Sequence, residues 1–168
     1  MNWFKNNKPG LKYTHYSIDW ASSGGKIEIL NWWFKSGFPI KYTSNSIDDT
    51  CMNGHLGVLI WWNACGLTLR YTKWSIDYAS KNGHINILNW WLNSGLYRKY
   101  SIKAIDWAFY SKRIDVLEWW INSNLYFKYT FIKNKYLNSE YDEIIIKWKN
   151  LIAQKQKEFN FSTKINIW

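Results

Sequence analysis

The chain has 168 residues, of which 47% are hydrophobic, 20% aromatic and 20% charged, and carries a formal net charge of +10. Such aromatic content excludes intrinsic disorder, and two prolines among nine glycines exclude collagen-like and proline-rich linker classes. The length fits one domain with a buried core, and no apolar run approaches the roughly 18 residues of a membrane span.

The start, Met1-Asn2-Trp3-Phe4-Lys5, lacks the apolar stretch of a signal peptide, so a cytoplasmic or nuclear location is expected and secretion is not. Cys51 and Cys65 form no Cys-x-x-Cys pair and read as reduced fillers. His15, His55 and His84 show no ligand spacing with them, so no metal and no cofactor are expected. Ile, Lys, Asn and Tyr are abundant, as an AT-rich gene would make them. The 14 tryptophans have no such origin and carry the information.

Trp3, Trp32, Trp61, Trp90, Trp119 and Trp148 follow one another at 29-residue intervals, and Trp33, Trp62, Trp91 and Trp120 directly follow four of them. Further columns align without gaps. Lys12, Lys41, Arg70, Lys99 and Lys128 form a basic one, followed by Tyr13, Tyr42, Tyr71, Tyr100 and Tyr129, and then by Thr14, Thr43, Thr72, Ser101 and Thr130. The pair Ile18-Asp19 recurs at 47, 76 and 105. A period in this range indicates a solenoid, propeller or array.

In chain order, residues 1–13 read as a half repeat, a second helix (Trp3 to Lys8) without its first. At Thr14 a hydroxyl is placed to cap a helix that ends near Gly25, a left-handed C-cap candidate. A second helix from Lys26 to Ser36 sets Ile29, Leu30 and Trp33 on one face and Glu28, Asn31 and Lys35 on another, and stops at Gly37. Trp32 and Trp33 lie about 100° apart, so one can face its own first helix and the other the next repeat. The unit restarts near 43, 72 and 101, and a degenerate one from 130 lacks the Ile-Asp pair and the turn glycine. The array is expected over 1–146. Residues 147–168, with five lysines against one glutamate, read as a basic cap or tail. There Phe159, Phe161, Ile165 and Ile167 alternate, leaving open a strand or a segment packed back. Four-stranded propeller blades need longer units and hairpin alternation, so the predicted class is all-α, a solenoid of about four helical hairpins.

The unit resembles an ankyrin repeat: Asn53-Gly54-His55-Leu56 and Asn82-Gly83-His84-Ile85 match that family's turn, followed by its branched apolar run and closing glycine. The Thr-Pro-Leu-His opening is absent, Asp19, Asp48, Asp77 and Asp106 stand at its histidine, and the period is 29 rather than 33. The missing residues fall after Gly37, so the β-turn finger is expected to be short or lost. The Trp-Trp, Ser-Ile-Asp-Trp-Ala variety is similar to ankyrin-type arrays encoded by giant DNA viruses of amoebae. The resemblance covers about residues 3 to 130 and implies a monomeric binding scaffold, in a host cell if viral, with His55 and His84 stabilising turns.

Each function-bearing column has a plainer alternative. The aspartates are too far apart along a stack to share a metal, and are expected to accept hydrogen bonds, with Trp20, Tyr78 and Trp107 as possible donors. The basic column with its tyrosines could track a phosphate backbone through Lys41, Arg70 and Lys99, or be a solvated edge whose stems cover apolar surface. No nucleophile, phosphate-loop or metal motif is present, so no enzyme is expected. Exposed positions that vary between repeats are the candidates for partner binding: Tyr16, Asn45, Trp74 and Lys103 on first helices, and Pro39, Thr68, Tyr97, Ile40, Leu69 and Arg98 in loops. Trp74 stands out as an anchor; its alternative is packing on Tyr71 or Lys103. The expected function is protein–protein interaction through a concave face and the inter-repeat loops, and the alternative is nucleic-acid binding along the basic ladder.

Overall fold

A computed structural model of the chain describes residues 12–131 and 141–165. Most of the expected half repeat at 1–13, with Trp3, and residues 132–140 of the degenerate unit lie outside the described residues. Nine helices and no strand occur among those described: α1 (Tyr16–Ser23), α2 (Ile27–Ser36), α3 (Asn45–Met52), α4 (Leu56–Ala64), α5 (Trp74–Asn82), α6 (Ile85–Asn93), α7 (Lys103–Tyr110), α8 (Ile114–Asn122) and α9 (Asp142–Ile165). They pair as hairpins α1–α2, α3–α4, α5–α6 and α7–α8, packed in sequence order, with α9 against α8.

Local chemistry explains the boundaries. Thr14, Thr43, Thr72 and Ser101 each accept a hydrogen bond through the side-chain oxygen from the N–H two residues on, at 3.2–3.3 Å, which satisfies one free amide at each first-helix start. The turn between the helices of a hairpin needs a left-handed residue. At Gly54 φ is +75°, and a Cβ there would also stand 2.7–3.1 Å from the His84 ring of the next hairpin. Glycine is thus required twice over, by the backbone and by its neighbour. In the fourth hairpin Lys112 takes the same place at φ +55°.

Ile18, Ala21 and Ser22 are buried on α1, as are Ile47, Ser46, Ile76, Ala79, Ile105 and Ala108 on the later first helices. Small Ala and Ser side chains there let these helices approach closely. Second helices bury Leu30 and Trp33, Val58, Leu59 and Trp62, Ile87, Leu88 and Trp91, and Val116, Leu117 and Trp120.

Three expectations need correction. Ile29 does not share the buried face of Leu30 and Trp33; it is 46% exposed, because among the described residues α2 has no second helix of an earlier hairpin against it, whereas its counterparts Val58, Ile87 and Val116 follow such a helix and are buried. The tryptophan pairs reach back to the preceding hairpin, not forward: Trp61 Nε1 donates to Asn31 Oδ1 at 2.8 Å and Trp62 Nε1 to Ser22 Oγ at 3.0 Å. The C-terminal segment is helical to Ile165, which removes the strand option.

Candidate partner-binding face

The first helices are locked to one another by the aspartate column. Asp19 accepts from the Thr43 N–H at 3.0 Å and the Thr43 hydroxyl at 2.7 Å, and also from the Ser46 hydroxyl. Asp48 does the same with Thr72 and Ser75, Asp77 with Ser101, and Asp106 with Thr130. Each carboxylate therefore holds the cap of the following hairpin. The aromatic donors expected from Trp20, Tyr78 and Trp107 are not used, because those side chains leave the helices on the outer side.

That outer side is where the variable positions gather. Tyr16, Asn45 and Lys103 are exposed, as expected, and Tyr16 stacks on Trp20 at 5.3 Å. Trp20 itself is 70% exposed. Trp74 is half-buried, and of the two neighbours named for its plainer alternative Lys103 lies over its ring. Its ring lies nearly parallel to those of Tyr78 (5.3 Å, 27°) and Trp107 (5.7 Å, 12°), and Tyr78 lies 5.4 Å from Trp107. Lys103 sits over both tryptophans, 4.8 Å from Trp74 and 5.1 Å from Trp107; Lys73 lies over Trp74 and Lys81 over Trp107. On α3 the equivalent places hold Asn45 and Asp49. Partial burial, and then the nearby Asp48 and Asp19, push the Asp49 carboxyl above its ordinary range.

The basic ladder is built differently from a phosphate track. Lys41, Arg70 and Lys99 each lie over the tyrosine of the preceding hairpin, Tyr13, Tyr42 and Tyr71, at 4.5–5.0 Å, and each donates to that tyrosine's carbonyl oxygen. The tyrosine hydroxyls donate in turn to Pro39, Thr68 and Tyr97 carbonyls at 2.6–2.7 Å, and the rings pack 4.6–4.7 Å from Trp33, Trp62 and Trp91. Burial raises the Tyr71 and Tyr100 phenols above their ordinary range. Lys128 breaks the pattern and lies over Tyr126.

Among the loop candidates, Ile40 and Leu69 are partly buried against the core, and Arg98 donates to the Leu92 carbonyl at 3.3 Å. Pro39, Thr68 and Tyr97 are exposed, Tyr97 by 78%. A groove of about 710 Å³ runs beside it, lined by Lys73, Leu96, Arg98, Lys99, Tyr100 and Leu125. His55 and His84 do stand at the turns, but their rings pack against Gly25 and Gly54 of the preceding hairpin, and His84 Nε2 lies 3.0 Å from the Met52 carbonyl oxygen.

Among the described residues no three His, Cys, Asp or Glu side chains converge as metal ligands, and no helix is long and apolar enough to cross a membrane. Burial lifts the Cys51 thiol to about 12, and it accepts from Trp91 Nε1 at 3.4 Å. No protein-family model, no curated protein and no solved structure matches the chain. Sequence reasoning singled out Trp74 and Lys103 but missed Lys73 and Lys81 as their neighbours, and gave Tyr78 and Trp107 another role. The signal was present: Trp74 and Tyr78 are four apart on one helix, and Trp107 follows Tyr78 by one period.

Proposed function

We propose that the chain is a non-catalytic, ankyrin-like solenoid that binds another protein through the face of its first helices and the adjoining loops. Small residues between first helices and tryptophans between second helices make each hairpin a wedge, which supports a stack concave on the first-helix side. In this reading it works as a monomer in the cytoplasm or nucleus, of a host cell if the viral resemblance holds.

The observation that carries the reading is the Trp74–Tyr78–Trp107 cluster, with the open ring of Trp20 two periods before Tyr78 in the same column. These aromatics occupy columns whose chemistry changes from hairpin to hairpin (Tyr16, Asn45, Trp74, Lys103; Trp20, Asp49, Tyr78, Trp107), while the framework columns hardly change. Packing does not require them, and large aromatics at a surface are the residues that anchor partners. The nucleic-acid alternative is disfavoured because each of the ladder tyrosines Tyr13, Tyr42 and Tyr71 already packs against a tryptophan and carries a cation over its ring, contacts that a stacking base would have to displace.

The test is selection of a random-peptide display library on the purified chain, counter-screened against Trp20→Ser/Trp74→Ser/Trp107→Ser. Peptides that need the three aromatics are expected. A library without such peptides overturns the reading. A parallel titration with single-stranded RNA and duplex DNA at low and high salt examines the alternative. Tight low-salt binding that Lys41→Glu/Arg70→Glu abolishes would establish the basic ladder instead.

A further inference from the structure

We infer that the surface of α5 and α7, with the groove beside it, takes an acidic peptide segment that carries aromatic or large apolar side chains. This deepens the protein-binding reading and rests on it.

Lys73 just before α5, Lys81 at its end and Lys103 at the start of α7 converge on the same two indoles, each ammonium 4.8–5.4 Å from a ring centre. None of them is ion-paired with a described carboxylate. The nearest acids in sequence, Asp77 beside Lys73 and Lys81 and Asp106 beside Lys103, are buried and hydrogen-bonded to Ser101 and Thr130. Lys73 also lines the groove of about 710 Å³ together with Arg98 and Lys99, and no acidic side chain lines it. Five cations thus flank one aromatic surface that exposes no carboxylate of its own; buried Asp77 is the acid whose charge reaches Lys73 and Lys103.

Two further features specify the partner. A lysine held over an indole has already given up much of its rotamer freedom, so less is lost when it meets a carboxylate. The indole edges and exposed Tyr97 supply apolar surface for a side chain between those carboxylates. On α3 the corresponding positions are Asn45 and the carboxyl Asp49, so attraction for an acid ends there and the segment gains a direction along the face. A nucleic acid suits the surface less well: ammonium groups occupy faces of Trp74 and Trp107 on which bases would stack.

The experiment is fluorescence anisotropy of the full chain with a fluorescein-labelled random copolymer of glutamate and tyrosine, competed with polyglutamate or polyuridylate. The copolymer is expected to bind, and Lys73→Gln/Lys103→Gln to weaken it by about tenfold or more. Lys26→Gln/Lys35→Gln, on the second-helix side, should leave binding unchanged, and all variants should melt like the parent. Trp107→Leu should weaken the copolymer more than polyglutamate. Equal binding by the two lysine pairs overturns the inference, as does displacement by polyuridylate at lower concentrations than polyglutamate. If the copolymer fails to bind while the library yields neutral peptides dependent on Trp74 and Trp107, the inference falls and the protein-binding reading stands. If both fail, both fall.

Discussion

The interior hairpins and the C-terminal helix solve the same packing problem with different chemistry. In the interior, each buried indole N–H finds an acceptor on the preceding first helix: Trp62 on Ser22, Trp91 on Cys51, Trp120 on Ser80. One period further on, that acceptor column holds Phe109. Trp148, which packs on Tyr129 as Trp120 packs on Tyr100, is fully buried, and its Nε1 has no hydrogen-bond partner among the described residues. In exchange, Phe109 stacks on Phe131 at 3.7 Å and on Tyr141 at 5.2 Å. Trp148 belongs by count to the first tryptophan column yet takes the buried place of the second, so α9 sits one residue out of the interior spacing. Hydrogen-bonded indoles need a fixed register between neighbours, whereas an aromatic cluster tolerates a slip.

The comparison breaks most severely at the interior indoles. Trp91→Ala should cost about 4 kcal/mol in urea unfolding, because it empties a fully buried site and strands Cys51. Next come the turns. Gly54→Ala should cost about 2 kcal/mol, since a Cβ meets both the left-handed backbone and the His84 ring. Lys112→Gly, in the turn of the fourth hairpin, should change stability by less than about 1 kcal/mol, relief at φ +55° being offset by loss of the lysine over Tyr141. Equal losses at the two turns would contradict a role for the ring contact.

The indole donors themselves separate the two regions on a finer scale. Trp120→Phe should cost about 1–2 kcal/mol beyond its packing loss, by removing the bond to Ser80 and leaving that hydroxyl buried alone. Trp148→Phe removes a donor that has no partner among the described residues and should lack that extra cost, a difference thermal melts would resolve. The smallest effect concerns Asp77. Asp19 and Asp48 each receive a serine hydroxyl, from Ser46 and Ser75, but Ala104 stands in that column opposite Asp77. Burial pushes the Asp77 carboxyl above its ordinary 3.8, against the opposing bonds from Ser101. A raised folded-state value means the folded chain binds the extra proton, so this group's contribution to stability declines as pH rises through the window above 3.8. Ala104→Ser supplies the missing donor to the ionised form. It should add about 1 kcal/mol at neutral pH and nothing once the pH falls below 3.8, as measured by urea titration across pH.

Much of the helix pattern was legible because its rules are local. Thr43 caps the helix that begins beside it, Gly54 turns left-handed, and Leu59 and Trp62 recur at helical spacing, all within a few residues. The candidate face was legible only in part. Tyr16, Asn45 and Lys103 stand exposed as read, but Trp74 joined a cluster with Tyr78, Trp107 and three lysines drawn from two helices. Ile40 and Leu69, read as binding positions, are partly buried against the core, a placement their variability between repeats did not reveal.

What the sequence determined by itself was the helical class and the spacing of helix starts and turns, since caps, left-handed glycines and helical periodicity act through neighbours along the chain. Tertiary structure alone decided that the indoles and aspartates reach across to adjoining hairpins in opposite directions, that cations cover the ladder tyrosines, and that Trp148 Nε1 has no partner among the described residues. Those outcomes depend on how far one helix slides along the next, and that displacement is set by the packing of side chains from separate hairpins rather than by any one segment.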